Sequence, residues 1–133
     1  MQTPDVRYEV SPPVSTGELD ALFEASWDAH IPRGFAGILA RSIAYVCAYR
    51  GDALVGFVHA AWDGGVHAFV LDVTVTPEER HRGVGLELVW LLVVACRERG
   101  IVWMHVDFEA PLAPFYERAG FRRTAAGIMR LDT

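Results

Sequence analysis

Residues 68–108 constrain the fold more than any other part of the chain. AFVLDVTVTP (68–77) is apolar, rich in β-branched residues and closed by a proline, which is the pattern of a strand. LELVWLLVVACRERG (86–100) continues it as a helix expected from about Gly83 to Arg99 and ended by Gly100, and IVWMHVDF (101–108) is again strand-like. A strand, a helix and a strand in that order form a βαβ crossover, which lays two strands parallel in one sheet. At the point where the first strand hands over to the helix stands RHRGVG (80–85), two arginines, a histidine and two glycines.

The rest of the chain supplies antiparallel strands and short helices. Val6–Val10 reads as a first strand, stopped by Ser11, Pro12 and Pro13. With Thr16 as its cap, GELDALFEASWDAH places Leu19, Leu22, Phe23 and Trp27 at helical spacing, and FAGILARS suits a shorter second helix. IAYVCAYR and ALVGFVHAAW are joined through Gly51 and Asp52 as a hairpin, and Asp63, Gly64 and Gly65 turn the chain into VHAFVLDVTV. After the crossover, LAPFYERAG predicts a short helix, and FRRT with AGIMRL one or two closing strands. The expectation is one α/β or α+β domain of 133 residues with a mixed sheet.

Composition narrows the function. A formal net charge of −5 argues against a general nucleic-acid binder and suits cationic small molecules. The longest apolar run, LVWLLVVAC, falls short of the ~20 residues of a membrane span, and MQTPDVRYEV is not a secretory leader, so a cytoplasmic protein is expected. Cys47 and Cys96 stand alone in apolar segments, and the histidines at 30, 59, 67, 81 and 105 have no metal-ligand spacing; no metal site is expected.

A helix start presents backbone N–H groups without intrahelical partners at the positive end of the peptide dipoles, which makes it a place for anions. If Gly83 and Gly85 open the helix, a phosphate can approach the backbone closely, with Arg80 and Arg82 adding charge. A Walker A loop needs lysine, and all twelve basic residues are arginine. The dinucleotide pattern G-x-G-x-x-G fails at Leu88. Paired glycines can also be turn chemistry alone, and clustered arginines a solvated face.

VTVTPEERHRGVG resembles the acyl-coenzyme A signature of the GNAT superfamily of N-acetyltransferases, an apolar strand, often a proline, then Q/R-x-x-G-x-G/A, with Arg80, Gly83 and Gly85 at its fixed positions. PFYERAGF (114–121) is similar to the family's F/L-Y-x-x-x-G-F segment, and the order of elements from residue 6 to 131 fits as well. The resemblance implies a single GNAT-like domain over residues 1–133, a mixed, mostly antiparallel sheet with flanking helices and one parallel βαβ splay. It implies acetyl-CoA as co-substrate, its pyrophosphate on the loop Arg80, His81, Arg82, Gly83, Val84, Gly85 and Leu86, and its pantetheine arm on the backbone of Val73 and Val75. Tyr116 matches the tyrosine that protonates the departing thiolate, a role a phenol can fill. The resemblance further implies that the acetyl group passes to a primary amine by direct attack, and that the chain forms a homodimer.

The amine must lose protons, so a base is needed. Asp72 is the first candidate and Asp107 and Glu109 the next, with water as the alternative; His59 and His105 are candidates to relay a proton. Whether Asp72 faces the cleft depends on strand parity, which a bulge reverses. Glu109 stands where many relatives carry asparagine, which puts one coenzyme contact in doubt, and His81 where glycine is common. The resemblance also implies an acceptor pocket around Trp27, His30, Ile31, Arg33 and Phe35, suited to a small amine with an apolar part, although Trp27 and Phe35 are equally suited to the core. The competing reading is a non-catalytic module that binds acyl-CoA for sensing. Modification of aminoacyl-tRNA is disfavoured by the acidic balance.

Overall fold

The computed structural model of the protein describes residues 5–32 and 34–132. Five strands lie in chain order across one sheet: β1 (Arg7–Val10), β2 (Ser42–Arg50), β3 (Ala53–Trp62), β4 (His67–Val75) and β5 (Trp103–His105). The first four are antiparallel neighbours and β5 runs parallel to β4. Helices α1 (Thr16–Ser26) and α2 (Phe35–Ala40) precede β2, α3 (Val84–Glu98) makes the crossover, and α4 (Ala113–Arg118) follows β5. This is the mixed sheet with flanking helices that the sequence implied.

Strand alternation divides the interior in two. Val46, Ala48, Val58, Ala60, Ala68 and Val70 pack with Leu88 and Leu92 of α3. Cys47, Tyr49 and Phe57 pack with Leu19, Leu22 and Phe23 of α1 and Phe35 of α2. Phe23, Phe35 and Phe57 meet with ring centroids 4.8–6.2 Å apart, in tilted and edge-on pairs of the kind aromatic quadrupoles favour.

Two expectations need correction. Ser15, not Thr16, caps α1: its hydroxyl accepts the Glu18 amide at 3.0 Å while Glu18 Oε1 accepts the Ser15 amide at 3.2 Å. Ser-x-x-Glu is the spacing that satisfies both donors, and Thr16 is already helical. No strand forms from FRRT or AGIMRL among the described residues. Alternation marks residues suited to a strand, but a strand also needs an edge to pair with. β5 is only three residues long, and Ile128, Met129 and Leu131 are 82–86% exposed. No helix among the described residues is long and apolar enough to cross a membrane.

Candidate active site

The site begins with a one-residue irregularity. Phe57 pairs with Thr74, but His59 pairs with Leu71, so Asp72 and Val73 together face Val58. This is a β-bulge in β4, and Asp72 takes the left-handed conformation (φ 58°) that it requires. Val70 points under α3, and plain alternation would send Asp72 the same way. The extra residue turns it to the opposite face. There its Oδ2 lies 2.8 Å from Nε2 of His59, a side chain only 4% exposed. His59 Nδ1 is 3.2 Å from Ser42 Oγ, which in turn lies 2.8 Å from the Ile38 carbonyl.

The same irregularity helps the sheet to open. β4 and β5 pair only at His67↔Trp103, Ala68↔Met104 and Phe69↔His105. Beyond Phe69, the segment carrying Asp72, Val73 and Val75 has no partner in β5. Val73 and Val75 lie partly buried against the α3-side core, so what they offer the opening is backbone. Trp27, half exposed just past α1, donates from Nε1 to Thr74 Oγ1 at 3.0 Å and anchors the end of α1 to this segment.

At the far end of β4 the turn Pro77–Glu79 leads into the loop. Arg80 donates from Nε to the Val75 carbonyl (3.1 Å) and from Nη2 to the Ser26 carbonyl (2.8 Å), so its guanidinium ties α1 to β4. Glu79 is buried and accepts two hydrogen bonds from Arg50, while Arg82 stands 3.6 Å away. The Arg50 bond holds the Glu79 carboxyl below its ordinary range, and Glu79 in turn holds Arg50 above its own. His81 (φ 64°) and Gly83 (φ 83°) are both left-handed. Gly83 is the N-cap of α3 and brings no side chain to satisfy the first-turn amides.

α4 closes the site from the other side. A Cβ on Gly85 would sit 3.4 Å from Phe115 Cε1 and 3.7 Å from Val75 Cγ2, so Gly85 is where the α3 mouth, β4 and α4 converge. The next residue, Tyr116, is 7% exposed, stacked on Phe108 at 4.9 Å and edge-on to Phe115 and Phe121. Burial first, and then the Asp107 charge, raise its phenol above the ordinary tyrosine range, which keeps it a proton donor at neutral pH. Its hydroxyl makes no protein hydrogen bond among the described residues.

The other candidates stand outside the His59–Asp72 contact, Asp107 near enough for its charge to act on Tyr116. Asp107 and Glu109 are exposed on the segment after β5. His105 pairs with His67 at 2.8 Å and stacks on Phe69. Among the described residues no three His, Cys, Asp or Glu side chains gather as a metal site. Of the residues expected around the acceptor, Phe35 is core, His30 is paired with Asp20 at 3.1 Å, Ile31 is 76% exposed, and Arg33 lies outside the described residues. Sequence reasoning missed the Ser42–His59–Asp72 chain and the Arg50–Glu79 pair. The partners are 13 to 29 residues apart, and only the bulge and sheet register bring them together.

The site thus joins a bulged strand diverging from its parallel neighbour, a helix mouth at one end and a buried tyrosine across it. The family model of the GNAT acetyltransferases matches residues 10–121, and the chain belongs to that family. A curated relative, the uncharacterized N-acetyltransferase ycf52 of Pyropia yezoensis, is 29% identical over 75 residues, 56% of this chain. The matched part spans only 43% of that relative's length. A crystal structure from Deinococcus radiodurans R1, described only provisionally as an acetyltransferase, superposes with a TM-score of 0.79 at 26% identity, covering 98% of this chain and 91% of that one. The aminoglycoside N-acetyltransferase AAC(6')-Iy, solved in complex with CoA, shares the fold at 16% identity, with a TM-score of 0.76 over 98% of this chain and 97% of its own.

Proposed function

We propose that the protein transfers an acetyl group from acetyl-CoA to a primary amine of a small acceptor by direct attack, within one domain formed by residues 1–133. The observation that carries this reading is the convergence at Gly85 of the uncapped α3 mouth, the freed edge of β4 and the helix bearing Tyr116. The first-turn amides, with Gly83 clearing the approach, are suited to a diphosphate. The loop from Arg80 to Leu86 would hold it, with Arg80 acting as a tether between α1 and β4 rather than as a direct phosphate ligand. The backbone of Val73 and Val75 is the segment available to the pantetheine arm. Acetyl-CoA supplies the activated acetyl thioester.

Asp72 stands at the bulge to receive the amine proton, and Tyr116 is placed to return one to the departing sulfur. Trp27 and Ile31 supply apolar surface for the acceptor. A cytoplasmic site of action accords with two buried cysteines that remain thiols. A homodimer belongs to the same reading. Phe69, Leu71 and Trp103 leave β4 and β5 an exposed apolar face, and Ile128, Met129 and Leu131 lie uncovered in the same chain; a second copy can bury both.

The test is release of free coenzyme A thiol from acetyl-CoA across a panel of primary amines, with Tyr116→Phe beside the parent chain. We expect turnover with at least one amine. In the variant kcat should fall about 100-fold, within the usual worth of a general acid, with KM for acetyl-CoA within about twofold. Coenzyme binding without turnover on any amine would favour the sensing module, and unchanged kcat in the variant would remove Tyr116 from the mechanism.

A further inference from the structure

We propose that the cleft between β1 and the start of α3 receives the adenosine 3′-phosphate end of coenzyme A, with the adenine ring inside against Tyr8 and the 3′-phosphate at the rim on Arg82. The inference rests on the acetyl-CoA reading above and extends it to a part of the coenzyme that the β4 edge and the α3 mouth do not hold. The cleft encloses about 490 Å³, inside the roughly 300–1,000 Å³ range of small-molecule sites. Asp5 and Tyr8 wall it on the β1 side, and Arg50, Glu79, Arg82 and Val84 on the other. Val84 is the first residue of α3 and Gly83 its N-cap, so the cleft begins where the first-turn amides stand.

Strand register places the ring there. Tyr8 pairs with Ala48, and directly opposed residues share a face, so both lie on the α3 side of the sheet. The Tyr8 ring is partly buried against that core and lines the cleft with the rest of its surface. A purine is flat and uncharged, and an aromatic side chain at its face is what stacking needs. Asp5 adds a carboxylate that can accept from an exocyclic amino group.

Charge decides which end of the nucleotide goes in. The lining carries two arginines and two carboxylates, so its interior has no net attraction for an anion. Burial, and then the charges of Glu87 and Glu79, raise the Tyr8 phenol above the ordinary tyrosine range. Carboxylates therefore reach the Tyr8 end, which suits a neutral base and opposes a phosphate. Arg50, Arg80 and Arg82 differ in how far they are committed. Arg50 gives two hydrogen bonds to Glu79, and Arg80 gives two to backbone carbonyls. Arg82 makes no hydrogen bond among the described residues; its Nη1 is 3.6 Å from Glu79 Oε1, and its side chain is 59% exposed. Glu79 keeps Arg50 when Arg82 turns to a ligand, so the buried carboxylate is not left unpaired.

The experiment compares coenzyme A with 3′-dephospho-coenzyme A by calorimetric titration, and follows adenosine 3′,5′-bisphosphate by NMR. We expect the parent chain to bind coenzyme A about tenfold more tightly than the dephospho form, the worth of one charge-assisted contact. Arg82→Gln, a change at an exposed side chain, should abolish that preference by weakening coenzyme A alone. In the unmodified chain, the adenine protons of adenosine 3′,5′-bisphosphate should show nuclear Overhauser contacts to the Tyr8 ring. Those contacts need neither a thioester nor a variant, so they stand apart from the acetyltransferase reading. Equal affinity of the parent for the two coenzymes, an Arg82→Gln loss of the same size for both, or adenine without contact to Tyr8 would overturn the assignment and leave that reading in place. A folded parent chain that binds neither coenzyme would overturn both.

Discussion

His81 and Asp72 carry the plainest local strain in the site. Both are non-glycine residues in the left-handed region, at φ 64° and 58°, where a Cβ crowds the following carbonyl. At Asp72 the conformation serves the bulge. At His81 the side chain is exposed and forms no ion pair among the described residues, so the strain lacks a local return. Glycine at this position relieves it, which gives a physical reason for the glycine that the family often carries there. We expect His81→Gly to stabilise the chain by about 1 kcal/mol, raising Tm by about 4 °C in calorimetric melting. A lower Tm would mean that the His81 side chain holds the loop.

Tyr116 illustrates the limit of reading single residues. Its place in PFYERAGF marks it in the sequence as a proton donor, and the same ring beside Phe115 also suits packing on a short helix. The structure gives it both: the ring is packed against Phe108, Phe115 and Phe121, and the hydroxyl has no protein partner among the described residues. Asp72 is the opposite case. Its facing depended on a bulge that no local pattern encodes, since AFVLDVTVTP alternates no differently around it.

At the scale of elements, the Arg50–Glu79 pair ties the end of β2 to the turn before α3, and Arg82 adds a second cation. Replacing Glu79 by Gln keeps the shape and removes the charge. The folded-state pKa of Glu79 is lowered, so its ionic contribution is present above the unfolded value and is lost as pH falls through the folded one. The parent chain should therefore exceed Glu79→Gln in stability at pH 7, and the gap should close in urea titrations as pH falls through the lowered folded-state pKa of Glu79. A gap that persists unchanged down to pH 3 would assign the effect to shape rather than charge.

The elements themselves were largely legible. The crossover, the hairpin at Gly51 and Asp52, and the helix beginning after Gly83 follow from apolar period and turn residues, which are local properties. The closing strands, the cap at Ser15 and the length of β5 were not. IVWMHVDF suits a strand throughout, but only Trp103–His105 pairs, because β4 bends away at its bulge and takes the hydrogen-bonding edge with it.

Across the whole molecule, the two cores on either side of the sheet fix β4 firmly where it meets β3 and leave it open where it parts from β5. The uncovered apolar side chains lie outside both cores. If they form the proposed dimer contact, sedimentation should report a dimer, and Met129→Glu combined with Ile128→Glu should give a folded monomer. A parent chain that sediments as a monomer at all concentrations would contradict that contact while leaving the site intact.

Calorimetric titration of the folded chain with coenzyme A, beside Gly83→Val, tests the central claim most directly. Valine at the left-handed N-cap of α3 strains the turn that aims the first-turn amides. We expect one coenzyme A bound per chain and an affinity at least about tenfold weaker in the variant, the loss of roughly one charge-assisted hydrogen bond. No heat of binding to the folded parent chain, or equal affinity in the two proteins, would contradict the account.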